Sequence, residues 1–524
     1  MIYPPYEGGF FLKSRLPFPI GPLYIAAYLQ ERGMKAEVID FSYPYNEVKI
    51  DKPAKLSVRR YIRRGWTDDK MISWLMNNLD KYHNVIGVSS LMSTMYQSGY
   101  SVVEMIKAIK PEAKIIMGGP HATIFPKHVA KKSMVDYILV GEGEEAMYKF
   151  LNGEKNIEGV YAKDEIIKNE VEVERAVVSD MNSLPFPDRK LLKDNRKTDE
   201  MMITFSRGCP AACSFCTSVL VQGRAWRNKT SDRAIEEIKF YHEEWGAKKF
   251  IIEDDNLCPG PKGRRWFMDV CDGVMGMKLK FNIPHGLPVE ATADPELCKK
   301  AYAIGFRNMT FPVESTNLEV LRDMKKTIVY KYWRQAIKSW KYERKKSVEI
   351  ILGYPFVETI DTMLQTIKDL SGELCTIWPS HFRPNKGIEL FDRCVQAGYV
   401  GKKNFDPIIM NQISVETENF NTKDIKEISA LVRGVNFGVD YAIDVFTAEL
   451  KNLKFSGYEF KASKKPEINE VVAVGSFGFK KGQEVFSALL IKRLGVKGKP
   501  KIICKDKKYM IYAGSELNKV WDKL

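Results

Sequence analysis

Short apolar runs alternate with amphipathic stretches over the first 400 residues. Glu37 to Asp40 reads as a short strand following a helical stretch at Ile25 to Leu29. Val85-Ile86-Gly87-Val88-Ser89 has the length and apolarity of a buried strand, and it ends in small polar residues. Val102 to Ile109 repeats its apolar positions with helical spacing. Lys114 to Met117 predicts a third strand, closed by Gly118-Gly119-Pro120-His121, and Val135 to Val140 a fourth, closed by Gly141-Glu142-Gly143-Glu144. Strands alternating with helices predict a parallel, doubly wound sheet over residues 1–150. Such sheets bind ligands beyond the carboxyl ends of their strands, where the turns after Val88, Met117 and Val140 all fall.

The alternation returns over residues 198–400. Met201 to Phe205, Lys249 to Ile252, Arg307 to Phe311 and Val348 to Leu352 read as successive buried strands. Ala234 to Tyr241 and Leu318 to Met324 read as helices between them, a pattern that suits an open or closed parallel barrel. Residues 151–197 show weak strand patterns and then Leu184-Pro185-Phe186-Pro187-Asp188, which predicts a connector laid across the surface. Residues 401–524 mix a helix, Lys423 to Val432, with β-like runs at Glu470 to Val474 and Lys501 to Cys504, a small α+β domain.

Composition narrows the class without naming it. The apolar share of 44% and charged share of 28% are those of a globular protein. No run of about 20 apolar residues occurs, so no membrane span is expected. Met1 to Pro5 lack the charged and apolar regions of a signal peptide, and a cytoplasmic enzyme is expected. The net charge of +15 is concentrated at the end: residues 451–524 hold 17 basic and 7 acidic side chains, a net of +10. The lysines are scattered and no nucleic-acid motif accompanies them, so a solvated surface is the preferred reading over RNA binding. The nine cysteines are odd in number and unsuited to a disulfide framework. Six are scattered and are expected to be small buried hydrophobes.

The other three are clustered in Ser206-Arg207-Gly208-Cys209-Pro210-Ala211-Ala212-Cys213-Ser214-Phe215-Cys216, directly after a predicted strand. Three thiolates at this spacing can wrap one [4Fe–4S] cube and leave one iron open, since the cube takes four ligands. Zinc is the rival, but a structural zinc site needs four protein ligands and no second Cys pair or nearby His supplies a fourth.

The arrangement Cys-x3-Cys-x-aromatic-Cys resembles the signature of the radical S-adenosylmethionine (SAM) superfamily. Residues 1–400 are most similar to its cobalamin-binding (class B) members. Pro17 to Ala26, Ser89-Ser90-Leu91-Met92-Ser93-Thr94, Gly118 to Thr123 and Gly141 to Glu145 resemble the recurring turns of the amino-terminal cobalamin domain, and Leu184 to Arg189 its exit segment. The implied fold is an α/β chain: a doubly wound, Rossmann-like cobalamin-binding domain, a partial (β/α) barrel and a small α+β domain. The implied cofactors are a [4Fe–4S] cluster on Cys209, Cys213 and Cys216, SAM, and cobalamin. Phe215 is implied to pack near the adenine. Glu253-Asp254-Asp255-Asn256 is implied to face SAM or substrate, with Glu253 and Asp255 as contacts. Glu314-Ser315 is implied to touch the SAM ribose or amino group, and Gly353-Tyr354-Pro355 to form the turn near the adenine, through Gly353 and Pro355. Cobalamin is implied to meet Ser89, Ser90, Ser93, Thr94, Gly118, Gly119, Pro120, His121, Gly141, Glu142 and Gly143.

The chain lacks the Asp-x-His-x-x-Gly loop that ligates cobalt from below in many cobalamin domains, which puts His ligation in doubt; His121 is the only His in a predicted binding turn. The implied activity is C-methylation of an unactivated carbon through a 5′-deoxyadenosyl radical and methylcobalamin, with an electron donor such as ferredoxin or flavodoxin. Cyclisation, rearrangement or carbon–carbon coupling, with or without cobalamin, is the alternative within the family. An iron–sulfur electron carrier or RNA-binding protein is the alternative outside it, and four-Cys ligation of carriers speaks against that. Peptide, lipid, tetrapyrrole and natural-product precursors all fit as substrates. Asn282 to His285 and Trp378 to His381 are candidate substrate loops.

Overall fold

Five short parallel strands and one antiparallel strand make the first sheet. They are β1 (Ile2–Tyr3), β2 (Ile39–Asp40), β3 (Val85–Ser89), β4 (Lys114–Gly118), β5 (Tyr137–Leu139) and β6 (Val160–Ala162), in the order β2-β1-β3-β4-β5-β6. The structure, a computed structural model, describes residues 1–8, 18–44, 46–49, 62–82, 85–91, 93–194, 196, 198–343, 346–373, 375–400, 415–429, 431–433, 435–436, 500–505 and 508–513. Ile115, Ile116 and Met117 are all buried, as a strand covered on both faces requires. The covering helices include α1 (Ile20–Glu31), α2 (Tyr96–Ile109) and α4 (Glu144–Leu151), with the five-residue α3 (Pro120–Ile124) following β4. Strand order reverses between β1 and β3, which is where a doubly wound sheet opens its ligand crevice.

Residues 151–197, read as a surface connector, also build the sheet. β6 pairs antiparallel with β5, and Gly141 bridges to Ala176. The sequence there is half-exposed edge strand, too weakly apolar to announce itself.

Six parallel strands follow in two ladders. β7 (Glu200–Ile203), β8 (Lys249–Ile252) and β9 (Lys280–Asn282) form one, and β10 (Thr310–Glu314), β11 (Lys346–Leu352) and β12 (Cys375–His381) the other. A bridge at Phe281 and Phe306 lies between them. This is a partial barrel; the described strands do not close into a ring. Helices run between the strands, and their ends follow local chemistry. Thr230 accepts from Arg233 N at the start of α6 (Ser231–Trp245), which stops at Gly246 with φ 63°. Cys258, Cys271, Cys298, Cys375 and Cys394 are buried, as expected of small hydrophobes, while the side chain of Cys504 lies outside the described residues.

The first sheet and the barrel share a core: Phe18, Leu23, Ala26 and Val38 pack in the barrel's apolar cluster. The junction also buries charge. Lys229 and Glu237, both fully buried, form an ion pair, and Tyr24 Oη lies 2.9 Å from Lys229 Nζ and 3.1 Å from Glu237 Oε1. Burial lowers the Lys229 ammonium below its ordinary value, and Glu237 works against that.

Beyond residue 401, the described residues 415–436 pack on the barrel. Residues 422–429 and 431–433 are helical, and Ile425, Ile428, Leu431, Val432 and Val435 are buried in the barrel core. Asn436 pairs with the edge strand β12 as a peptide unit does: Ile377 N donates to its Oδ1 at 2.7 Å, and its Nδ2 donates to Ile377 O at 2.5 Å. Lys501 to Cys504 fall in an antiparallel hairpin, Pro500–Lys505 with Lys508–Ala513. Glu470 to Val474 lie outside the described residues.

Candidate active site: a thiol loop facing a glycine-lined crevice

The three clustered cysteines are half-buried, unbridged and close enough for Cys216 and Cys209 to raise the Cys213 thiol electrostatically. Burial is the larger cause, and together they push Cys213 up to about 11. Their loop is pinned at both ends. Cys209 N donates to Gly223 O at 3.0 Å and Ser214 N to Met324 O at 3.1 Å, while Ser214 Oγ lies 2.8 Å from Tyr354 Oη. Gly208 (φ 87°) has no room for a Cβ, which would lie 2.1 Å from Ala225 O. Among the described residues no three His, Cys, Asp or Glu side chains converge on a single ion. A cube does not ask for that, since each thiolate takes a different corner. Asn256 Nδ2 donates to Cys209 Sγ at 3.7 Å, and its Oδ1 is buried with no partner. A free acceptor beside a free thiol fits a bound polar group, and the residues present fit the cluster and its cosubstrate.

Polar side chains surround this loop at the carboxyl ends of the strands. Glu314 sits at φ 64° where the β10–β11 register slips, and its carboxylate is 2.8 Å from Lys326 Nζ. Burial would lower the Lys326 ammonium, but Glu314 and the neighbouring Cys213 and Cys216 hold it above its ordinary value. Lys326 thus brings positive charge to the thiols, a role no local motif announces. Glu349, also unannounced, shares the inner face of the sheet with Pro312 and Trp378, its partners in register. Glu253 and Glu349 make no side-chain hydrogen bond among the described residues. Burial, with Asp254 beside Glu253 and Glu314 beside Glu349, pushes each from 4.5 to about 7. Their protonated forms suit the fold, so their contribution is full below pH 4.5 and lost as pH rises through 7. Glu349→Gln, neutral throughout, is therefore expected to flatten the fall in thermal stability over that window; an unchanged slope would count against it.

Several of the expected residues make contacts within the protein. Asp254 accepts from Phe205 N, Ser206 N and Ser206 Oγ at 2.9, 2.6 and 2.5 Å, holding the start of the thiol loop. Asp255 accepts from Ser218 Oγ at 3.2 Å and keeps its place beside the loop. Ser315, expected at the cosubstrate, is fully buried, with Oγ 3.2 Å from Thr366 Oγ1 and accepting from Asn317 N. Gly353, expected near the adenine, lies against the carboxyl-terminal helix: a Cβ there would meet Ile425 at 3.1 Å. Pro355 is buried in the same turn, closed by Glu358 accepting from Tyr354 N at 2.7 Å. Phe215 is half-buried against the barrel core.

The crevice of the first sheet opens at the reversal point. Ser89 ends β3, and the hydroxyl of Ser90, the next residue, is buried with no partner among the described residues. Gly118 ends β4, and Gly119 has φ 99°, where a Cβ would lie 2.7 Å from Ser90 O. Ser93 and Thr94 lie in a 3₁₀ turn, Ser93–Met95, and Pro120 opens α3. An orphaned hydroxyl and a crowded glycine turn fit a large ligand that needs close backbone approach. His121 is not free to reach a metal. Its Nδ1 is 3.1 Å from Ser93 Oγ, its Nε2 is 3.2 Å from Tyr100 Oη, and its ring stacks on Tyr96. Burial, with His128 nearby, pushes it down to about 3, so it stays neutral. The aromatic cage holds the ring in place.

Gly141-Glu142-Gly143 makes its contacts at the domain junction. A Cβ on Gly141 would lie 2.3 Å from Ala176 O, and one on Gly143 2.5 Å from Ile25. Glu142 pairs with Arg227 at 2.6 Å and Arg207 at 3.1 Å, and Glu144 with Arg207 at 2.5 Å. These partners lie 63 to 85 residues away, which sequence patterns do not register. The crevice and the thiol loop are neighbours: α3, beside the crevice, packs on α5 (Ser218–Gln222), just beyond the thiols.

Comparison with known families agrees with this pairing. Residues 79–151 match the B12 binding domain and residues 203–370 the Radical SAM superfamily. The chain thus carries a B12 binding domain followed by a radical SAM domain, and it is an enzyme. The domain pair implies a [4Fe–4S] cluster, SAM and cobalamin as its cofactors. Among characterised relatives, the cytidylyl-2-hydroxyethylphosphonate methyltransferase of Streptomyces wedmorensis is 25% identical over 443 residues, covering 74% of this chain and 79% of that one. The radical SAM methyltransferase TsrM of Kitasatospora setae, solved with cobalamin and a [4Fe–4S] cluster, superposes with TM-score 0.57 and 14% identity over 76% of this chain and 78% of its own. The cobalamin-dependent radical SAM enzyme OxsB superposes with TM-score 0.61 and 12% identity over 91% and 76%. No described helix is long and apolar enough to cross a membrane.

Proposed function

We propose that this enzyme transfers a methyl group to an unactivated carbon. The carrying observation is the packing of α3 on α5, which turns the glycine-lined crevice toward the thiol loop. A methyl carrier in one and a radical source in the other then share one substrate space. The methyltransferase among the relatives supports the same reading. When bound, the cluster supplies the electron that cleaves the sulfonium bond of SAM, and cobalamin supplies the methyl group.

The chain's own residues bind and orient. Cys209, Cys213 and Cys216 would hold three irons, leaving the fourth for SAM. Lys326, fixed by Glu314, keeps positive charge beside the thiolates. Glu253 and Glu349 face the barrel interior and would accept hydrogen bonds from SAM or substrate. The Ser90 hydroxyl and the Gly118-Gly119 turn would receive the corrinoid. A small electron carrier such as ferredoxin or flavodoxin would provide the reductant, in the cytoplasm.

The test is anaerobic reconstitution with iron, sulfide and hydroxocobalamin, followed by desalting and metal analysis. About four irons and about one cobalt per chain are expected. Iron without cobalt would reduce the first sheet to a scaffold and overturn methyl transfer. His121→Phe is expected to leave the electron paramagnetic resonance spectrum of bound cob(II)alamin unchanged, because both ring nitrogens already have partners. Loss of a nitrogen splitting in that variant would show instead that His121 ligates cobalt.

A further inference from the structure

The ion pairs between the turn after β5 and the strand that leads into the thiol loop form a closed unit. Glu142 and Glu144 lie on the turn after β5, at the start of α4. Arg207 stands two residues before Cys209 and pairs in register with Arg227 across a two-residue ladder. Arg207 Nη2 donates to Glu144 Oε1 at 2.5 Å, and Arg207 Nη1 to Glu142 Oε2 at 3.1 Å. Arg227 donates to both oxygens of Glu142, at 2.6 and 2.9 Å. The side chains are 3% to 12% exposed, and the two negative charges balance the two positive ones.

The unit is tied to backbone on both sides. Val178 N donates to Glu142 Oε2 at 2.8 Å, and Arg227 Nη2 donates to Gln222 O at 2.9 Å. Gln222 Oε1 in turn accepts from Gly208 N at 3.0 Å, next to Cys209. A displacement of the β5 turn is therefore passed to the thiol loop through short, buried, charge-assisted contacts. Planar guanidinium groups that bind carboxylates through paired hydrogen bonds fix angle as well as distance.

We propose that Glu142, Glu144, Arg207 and Arg227 are positioning residues that set the separation between the cluster and the corrinoid. The inference rests on the function proposed above. It explains why an acidic turn at a strand end is turned away from the crevice: its carboxylates serve the geometry between two cofactors and touch neither.

The test uses the full chain loaded with cluster and cobalamin, reduced to the paramagnetic cluster and cob(II)alamin. The fast-relaxing cluster shortens the relaxation of the cobalt spin, steeply with proximity, so the microwave power that half-saturates the cobalt signal reports their separation. Glu144→Gln keeps the shape of the side chain and removes its charge. The half-saturation power is expected to fall severalfold in this variant, with iron and cobalt contents as in the parent protein. Arg227→Lys, which keeps charge but loses the paired contact, is expected to shift it in the same direction. Unchanged saturation in both fully loaded variants would overturn the proposal. So would loss of iron or cobalt from both, which would assign the unit to fold stability. A parent protein that holds iron but no cobalt would overturn the proposed function itself, a separate result.

Discussion

Cys213→Ala is expected to remove the iron from this protein: content falls from about four atoms per chain to near none. The brown absorbance and all SAM cleavage go with it. The cube needs each of its three protein thiolates, and the described residues offer no substitute, because Cys258, Cys271, Cys298, Cys375 and Cys394 are buried in the core. The fold itself should not suffer. Cys213 is half-buried on a pinned loop, and its side chain makes no hydrogen bond among the described residues, so the cofactor-free variant should unfold at the temperature of the cofactor-free parent. Cys271→Ala, which trims a buried side chain in a barrel helix, should do the reverse: lower stability and keep the iron. Four irons retained by Cys213→Ala would refute the assignment of the loop.

The second large effect is expected at the domain junction. Glu237→Ala leaves the fully buried Lys229 ammonium without its counter-charge and should cost about 3–5 kcal/mol of stability. Tyr24 Oη and Thr204 O would remain nearby, but neither carries the charge that made the burial tolerable. Replacing both ionic partners, Lys229→Met with Glu237→Leu, should recover most of the loss, since an apolar pair of similar volume carries no desolvation cost. Denaturant unfolding of the cofactor-free protein measures both. A loss under about 1 kcal/mol in the single variant would mean that water reaches the pair, as at an exposed ion pair.

Sequence made some elements legible and hid others for physical reasons. Val85–Ser89 and Lys249–Ile252 agree in both bounds, because each is a short apolar run that stops at polar residues. Cys375–His381 carries a proline, a serine, a histidine and an exposed Trp378, so nothing in its pattern says strand; its place comes from pairing with β11 along its whole length. The thiol loop was legible because its chemistry is written within eight residues, Cys209 to Cys216. Glu142 and His121 were not, since their roles depend on arginines and tyrosines brought up by the fold. Ser315 shows the same limit: a hydroxyl at a strand end looks ready for a ligand until Thr366 takes it.

The amide of Asn436 on Ile377 has a consequence for anyone shortening the chain. β12 is the outermost strand of its ladder, and that single side chain occupies the one donor and one acceptor the strand turns outward at Ile377. A fragment ending at residue 400 would keep the expected barrel yet expose this edge together with the apolar surface beneath Ile425, Ile428 and Val432. Open edges of that kind template pairing between molecules, so such a fragment would precipitate by strand-to-strand self-association. A workable minimal enzyme has to run past Asn436.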